Sequence, residues 1–569
     1  MRDWVPEGHF AARARIRSMP SPRGRSAVTG RPADSATSRA PDPVTAAGLA
    51  VVLVSALLIF FWLDQRLLWM DEAETALLGR SILDQGVPTA FDGRNLVSQE
   101  VGREYGPNYV WRWTPWLDKY LAAGSFAVLG ESTFAARFPF ALLGLLCVIS
   151  VYPLALALFR DRWIGVLAMA FLALSVPFIL HVRQCRYYSP IILCSIWALY
   201  FFVGIARGRR LAVAGFVTAM TLLFQSSILN AAATAVALVP CVLVKRFDAA
   251  ALRRAALAAA VLLVLNAPSV YFFSPSTSEP RLSTFGENLR VHLERTNRYT
   301  FPFVTLPLFL ALALLARRRP FLEAQTWRPF LVLVVFLAAY LIAISAAPWS
   351  FYRYTVGLLP LAAVLLAFMC VNVLRWSRVV GAPVTACLLL TALFHVALSR
   401  PVTFMNPLSQ GRSFRAYDVF FPLGNLLHEI TRPYAGPMEQ LVELLSRSAA
   451  PTDRVFISYG DLIIMFYTEL EVRGGQSGRA LAGWPEPEWL VIRSFFAYND
   501  RPAQRAETKR MRAWLRSVVP TNNHYRVVPA PWTDTAWDNI PEPHLHWYRV
   551  PEGGQPMQVG RRQVPQPSP

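Results

Sequence analysis

Eleven windows of predominantly apolar residues recur along the chain, at 44–63, 132–158, 163–181, 188–206, 211–227, 229–244, 255–273, 300–316, 330–347, 354–374 and 379–398. As helices, windows of about 20 residues match a hydrocarbon core roughly 30 Å thick. The narrowest interruption, Gln225 to Ser227, parts the fifth window from the sixth. The stretch 117–130 (LDKYLAAGSFAVLG) is too short to span, and its Lys119 beside Trp116 suits a helix lying at the membrane interface. Hydropathy falls after Arg400. The pattern then predicts a helix at 437–448, strands at 453–459 and 489–496, a helix at 503–518, and strands near 525–529 and 545–550. The predicted fold class is a polytopic α-helical membrane protein with a small C-terminal α/β domain. Its segments are an N-terminal tail (1–43), a membrane domain (44–398) with one long loop (64–118), the α/β domain (399–550) and a Pro- and Gln-rich tail (551–569) read as disordered.

Composition agrees with the pattern. Of 569 residues, 54% are hydrophobic and only 16% charged, against about 25% charged in a soluble domain. That excludes an ordinary cytosolic enzyme, a disordered chain and a small disulfide scaffold. The net charge of +20 would suit nucleic acid if it were clustered on one surface, but it follows the topology instead. Basic residues concentrate in the N-terminal tail and in alternate connections: Arg160 to Arg162, Arg207 to Arg210, Lys245 to Arg254, Arg317 to Arg319 and Arg375 to Arg378. The positive-inside rule makes that side cytoplasmic. The other side receives the loop 64–118, with nine acids against five arginines, and the C-terminal domain, with 19 basic against 16 acidic residues from Arg400 on. The expectation is a multi-pass plasma (inner) membrane protein with a cytoplasmic N-terminus and an extracytoplasmic C-terminal domain, binding no nucleic acid. The tail needs no cleavable signal because the first span serves as a signal-anchor; Met19 is an alternative start. All six cysteines lie at or before Cys387, so no disulfide framework or cysteine metal site is expected. His544 and His546 share one side of a predicted strand but lack a third ligand nearby and read as surface residues.

Three local signals carry candidate chemistry. In WMDEAETALLGRSILDQGVPT, Asp71 and Glu72 follow the first span closely. Acids at a membrane boundary are costly unless solvated, paired or functional, and the alternative is an acidic cap on a helix from Glu72 to Leu83. In HVRQCRYYSP, Arg183 and Arg186 stand on the external side with Tyr187 and Tyr188. In PWSFYRYTVGLLP, Arg353 does the same between Tyr352 and Tyr354. Snorkelling arginines with an aromatic belt are the bland reading. The functional one is an anion site, because the planar guanidinium fork fits phosphate oxygens.

These stretches resemble the GT-C class of integral-membrane glycosyltransferases, and most closely the glycosyltransferase 39 / protein O-mannosyltransferase-like families, which include RgtA/B/C/D-like proteins and the aminoarabinose transferase of lipid A. Besides Asp71–Glu72, the resemblance rests on WTPWLDKYLAAGSFAVLGESTFAARFPFALLGLL at 113–146, RQCRYYSP at 183–190 and FYRYTVGLLP at 351–360, and it spans about residues 44–400. One departure is Trp113-Thr114-Pro115, where the family often has His-Pro-Pro.

The resemblance implies an inverting transfer from a polyprenyl-phosphate sugar, hexosyl or pentosyl, to an extracytoplasmic glycan, lipid or protein acceptor. It makes Asp71 the base and gives Glu72 the orienting of the acceptor or of Asp71's neighbours. Glu100 or Glu104 is the second carboxylate binding donor sugar or acceptor. Arg183, Arg186 and Arg353, with Tyr187, Tyr188, Tyr352 and Tyr354, hold the donor phosphate. Lys119 and Arg137 are further substrate-binding candidates, Arg137 equally a partner of the acidic loop. Arg281, Arg290, Arg295 and Arg298, in the external loop 274–299, would close over the donor as a lid. No cofactor is demanded; a divalent cation held by Asp71, Glu72 and Glu100 is left open. The competing readings are a transporter or flippase of a lipid-linked or anionic substrate, which would carry repeats and charges deep in its spans, and a scaffold binding a partner through its external domain. The enzyme reading requires Asp71, Arg186 and Arg353 to converge on one cavity.

Overall fold

The computed structural model describes residues 42–273, 282–315, 324–395, 403–404, 418–433, 435–494, 502–518, 524–534, 543 and 556–563. The N-terminal tail up to residue 41, Arg281, the 317–319 arginines, His544, His546 and the strand expected at 545–550 lie outside the described residues.

A helix occupies each of the eleven apolar windows. These are α1 (Pro43–Phe60), α4 (Thr133–Phe159), α5 with α6 (Arg162–Ala173 and Val176–Val182), α7 (Tyr188–Ala206), α8 (Ala212–Ser226), α9 (Ile228–Lys245), α10 (Ala249–Phe272), α12 (Thr305–Leu315), α13 (Ala324–Ile344), α14 (Leu359–Trp376, continuing a 3-10 turn at Tyr352–Leu358) and α15 (Arg378–Leu390). Seven are long and apolar enough to cross a membrane, or eight with the α5–α6 pair counted as one; α8, α12 and α15 are shorter.

Short polar caps divide the apolar runs. Ser227 accepts from the Asn230 amide and starts α9, so the narrow interruption read from the sequence is a true helix break. Ser175 caps α6 with Pro177 in its first turn, and α5 and α6 meet at 66°. Proline suits a first turn and disrupts an interior one. Asp161, Asp248 and Ser377 cap α5, α10 and α15 in the same way.

Among the described residues, the basic linkers meet at one end of the bundle. Arg375 pairs with Asp161 at 2.6 Å, and Arg254 Nε donates to the Ile205 carbonyl at 3.2 Å. At the other end lie α2 (Met70–Gln85), α3 (Leu117–Leu129, where an interfacial helix was expected) and α11 (Phe285–Tyr299). The loop 64–118 is thus partly helical, and its remainder is held by isolated bridges such as Thr89 to Val110 and Tyr105 to Trp111.

The C-terminal part begins with β1 (Thr403–Phe404) and β2 (Asp418–Val419), a short parallel pair, then α16 (Pro422–Ile430) and α17 (Pro437–Ser448). A five-stranded sheet follows: β3 (Arg454–Ile457), β4 (Glu471–Gly474), β5 (Trp489–Ile492), β6 (Tyr525–Val528) and β7 (Gln558–Arg562), in the order β4-β3-β5-β7-β6. β3 runs parallel to β4 and β5, with Phe456 opposite Leu490, and β7 is antiparallel to β5 and β6. α18 (Asp461–Tyr467) and α19 (Pro502–Val518) complete the unit.

Two expectations change here. The tail read as disordered from 551 carries β7, whose QVGRR buries only Val559 fully and so lacks a strand's hydrophobic signal. β4, with its EVRG sequence, was missed for the same reason. The domain docks on the 61–116 segment through a shared core: Leu68, Trp69, Ala73 and Leu77 pack in one cluster with Leu441, Val455, Ile464 and Trp489. Tyr467 seals the joint. Its hydroxyl accepts from the Leu68 amide (2.9 Å) and meets the Thr133 hydroxyl (2.7 Å).

Candidate active site

α2 starts where α1 has left the apolar layer. The Glu72 side chain accepts from the Trp69 amide at 3.3 Å, closing the first turn, and both first-turn acids sit at the positive end of the helix dipole. Successive helix residues point about 100° apart, whereas i and i+3 share a face. Asp71 and Glu74 therefore face one way and Glu72 another.

Asp71 and Glu74 line a cavity of about 180 Å³ together with Arg186, Tyr187, Arg353 and Tyr354. Asp71 Oδ2 lies 3.4 Å from Arg186 Nη2 and 3.3 Å from Arg353 Nη1, and Oδ1 accepts from Gln99 Nε2 at 3.2 Å. Arg186 Nη1 also donates to Glu74 Oε1 (3.1 Å), Thr75 Oγ1 (3.0 Å) and the Asp71 carbonyl (2.8 Å). Its guanidinium lies over the Tyr187 ring at 5.0 Å, and that of Arg353 over Phe351 at 4.2 Å. Asp71, Arg186 and Arg353, drawn from three distant parts of the sequence, do converge on one cavity. Burial opposes the Arg186 charge, but Asp71 and Glu74 outweigh it and raise its pKa well beyond the ordinary range.

Glu100 and Glu104 line the same cavity. Glu104 is fully buried and accepts from Ser98 Oγ (2.7 Å) and from the amides of Gln99 (2.5 Å) and Glu100 (2.6 Å), which folds the loop around it. Burial pushes its carboxyl up to about 7, against the hydrogen bonds from Ser98 and Gln99. Glu100 is the more accessible of the two, and its Oε2 accepts from Gln504 of α19 at 3.2 Å.

Several expected site residues do not line this cavity and make contacts elsewhere in the fold. Glu72 is buried, turned from the cavity, and bidentate with Arg137 (2.8 and 2.7 Å); its Oε1 also accepts from the Cys185 amide at 2.8 Å. Arg137 further donates to the carbonyls of Leu63, Arg66 and Leu67. Arg183 donates to the carbonyls of Leu58, Ile59, Phe61 and Trp62; a helix end leaves such acceptors unpaired, and this side chain supplies the donors for α1. Lys119 is buried against Asp118 (2.9 Å) and Thr114 Oγ1 (2.7 Å). Tyr188 and Tyr352 are fully buried and pack against His181, the Tyr352 hydroxyl meeting that of Thr300 at 2.8 Å. Of the expected lid, 285–299 is helical. Arg290 pairs with Glu287 and Glu294, Arg295 donates to the Ser350 carbonyl, and Arg298 lies over Phe420. None of the three lines the Asp71 cavity.

The Glu72–Arg137 pair carries a stability prediction. Removing one partner of a buried ion pair costs about 3–5 kcal/mol, because the other charge is left uncompensated. Glu72→Gln is expected to lower the melting temperature of the detergent-solubilised protein, and Glu72→Gln with Arg137→Met to restore part of it. Unchanged melting of the single variant would contradict the structural role.

Trp113, which stands where the family often has His, lines the cavity, as do Glu74, Gln99, Trp349 and Gln504, which the sequence did not single out. Of those four, Glu74 had a signal, its i+3 spacing from Asp71. Glu72 is committed to Arg137, Asp71 is held by two guanidinium groups, and among the described residues no three His, Cys, Asp or Glu side chains gather as metal ligands.

Comparison with known proteins bears on the fold. The family model for dolichyl-phosphate-mannose-protein mannosyltransferase matches residues 114–272. Among solved structures, ArnT from Cupriavidus metallidurans bound to undecaprenyl phosphate is similar at 16% identity and a TM-score of 0.53, over 92% of this chain and 99% of that one. Its apo state gives 16% identity and 0.52, over 91% and 98%. No curated protein matches the chain. The fold is that of the GT-C glycosyltransferases, as the sequence motifs implied.

Proposed function

We propose that the chain is an inverting glycosyltransferase that moves a sugar from a polyprenyl-phosphate donor to a hydroxyl of an extracytoplasmic glycan, lipid or protein. The observation that carries this reading is the Asp71 carboxylate gripped by Arg186 and Arg353 in one cavity. A carboxylate and two guanidinium groups are what the reaction asks for: a proton acceptor, and fixed positive charge where a phosphate gains negative charge.

The donor phosphodiester carries one negative charge and competes with Asp71 for the two arginines. That leaves the carboxylate available to the acceptor. The acceptor oxygen then bonds to the anomeric carbon from the face opposite the phosphate, the bond from that carbon to the phosphate oxygen breaks, and Asp71 receives the hydroxyl proton. Polyprenyl phosphate leaves with its second charge against Arg353 and Arg186. A carboxylate is a weak base for an alcohol, but suffices when proton transfer follows development of oxocarbenium character. Glu74 holds Arg186 in place through the reaction. Arg186 Nε, a buried donor with no hydrogen-bond partner among the described residues, supports a ligand acceptor such as a phosphate oxygen. No step is routed through a cation.

α4 and α7 start at the cavity layer and end at Arg160 and Arg207, in the basic linkers. With basic linkers cytoplasmic, the cavity opens on the extracytoplasmic side. Deleting the gene and weighing envelope glycans, glycolipids and glycoproteins by mass spectrometry is the direct test. The expected result is loss of one hexose or pentose increment, restored by the wild-type gene. An unchanged profile, with a transport defect in its place, would overturn the reading.

A further inference from the structure

α19 reaches the reaction cavity with one end and displays a basic stripe along the rest. Gln504 is buried, lines the cavity and donates to Glu100. Glu507, Thr508, Met511 and Leu515 form the buried face. Arg505, Lys509, Arg512 and Arg516, spaced four, three and four apart, are all exposed, and this spacing sets them on one face over about 16 Å. The helix holds five basic residues against one acid, within a C-terminal part that is otherwise nearly neutral. The cavity beside Gln504 holds four acids, Asp71, Glu74, Glu100 and Glu104, and the two arginines assigned to the donor phosphate, Arg186 and Arg353.

We propose that the α19 stripe binds the anionic part of the acceptor glycan and feeds its neutral, hydroxyl-bearing end past Gln504 to Asp71. The inference rests on the glycosyltransferase reading of the cavity. With Arg186 and Arg353 occupied by the donor phosphate, the cavity offers a second anion only its acids: phosphate or carboxylate substituents of the acceptor are repelled there and held by the stripe, so an uncharged sugar advances. A membrane surface fits the stripe less well. An interfacial helix inserts an apolar face beside its basic one, whereas the apolar face of α19 is spent on the sheet, with Trp514 against Phe456 at 4.8 Å.

The test uses the full-length protein in detergent and fluorescein-labelled dextran sulfate as the anionic glycan, followed by anisotropy. Wild type should bind it in a salt-sensitive manner and ignore neutral dextran. The variant Arg505→Gln/Lys509→Gln/Arg512→Gln/Arg516→Gln should bind at least about tenfold more weakly. Arg505→Lys/Arg512→Lys/Arg516→Lys, which keeps the charge, should bind like wild type and excludes misfolding as the cause. Asp71→Asn should also bind like wild type. Full transfer activity in Asp71→Asn would therefore sink the catalytic reading without touching the stripe. Equal binding by wild type and the four-Gln variant overturns the stripe proposal. Stripe-dependent binding to phosphatidylglycerol vesicles with none to dextran sulfate overturns it too, in favour of a membrane contact.

Discussion

Asp71→Asn is expected to abolish sugar transfer while leaving a folded protein in the membrane. The amide has the shape of the carboxylate, and its Oδ1 still accepts from Gln99 Nε2. Arg186 keeps Glu74, Thr75 and the residue-71 carbonyl, and Arg353 keeps its stacking on Phe351. What disappears is the proton acceptor, and general-base contributions of this kind run to about 10²–10⁴-fold. Transfer in membranes holding equal amounts of each protein, with melting temperature as the control, measures it. Activity of Asp71→Asn close to wild type would remove the base assignment. Glu74→Gln separates the two acids that share this helix face. It should weaken the hold on Arg186 and slow transfer less than Asp71→Asn, because Asp71 retains its charge.

The difference between the legible and the illegible parts of this site is instructive. Asp71, Arg186 and Arg353 could be picked out because they break a rule: arginines on the side that the positive-inside rule leaves poor in them, beside tyrosines and opposite acids. The rule could not separate Arg186 from Arg183, three residues earlier in the same turn. Arg183 is drawn to the carbonyls of Leu58, Ile59, Phe61 and Trp62, at and just past the end of α1, and nothing local to Arg183 announces them. Asp71 and Glu72 look equivalent in a string, yet the 100° step of a helix sends one to the cavity and the other to Arg137, 65 residues on. Lys119 reads as an interfacial cation but finds its counter-charge in its own neighbour, Asp118. The membrane helices were legible because hydrocarbon imposes length and composition together. β4 and β7 were not, because β4 lies at the sheet edge and β7 is held by pairing with β5 and β6 on either side, and such placement lets a polar segment be a strand.

The second large effect is expected at Arg353. Arg186 is tied down by Asp71, Glu74, Thr75 and a backbone carbonyl, so replacing it perturbs the acidic helix as well as the chemistry. Arg353 pairs with Asp71 Oδ2 of the acidic helix and lies over Phe351 and, at 5.8 Å, over Trp69. It stands at the start of the 3-10 turn that leads into the deeply buried α14, where the backbone is fixed by packing rather than by this side chain. Arg353→Gln should therefore leave melting near wild type while transfer falls by about 10²–10³, the usual cost of removing one preorganised donor at a developing negative charge. Arg353→Lys should recover only part of the rate, because an ammonium supplies charge without the planar fork. The loss should lie chiefly in kcat, since the phosphate gains its second charge only as the sugar departs. A loss confined to the donor KM would mean that Arg353 binds the ground state and does not act on the leaving group. Wild-type kinetics in Arg353→Gln would remove it from the site.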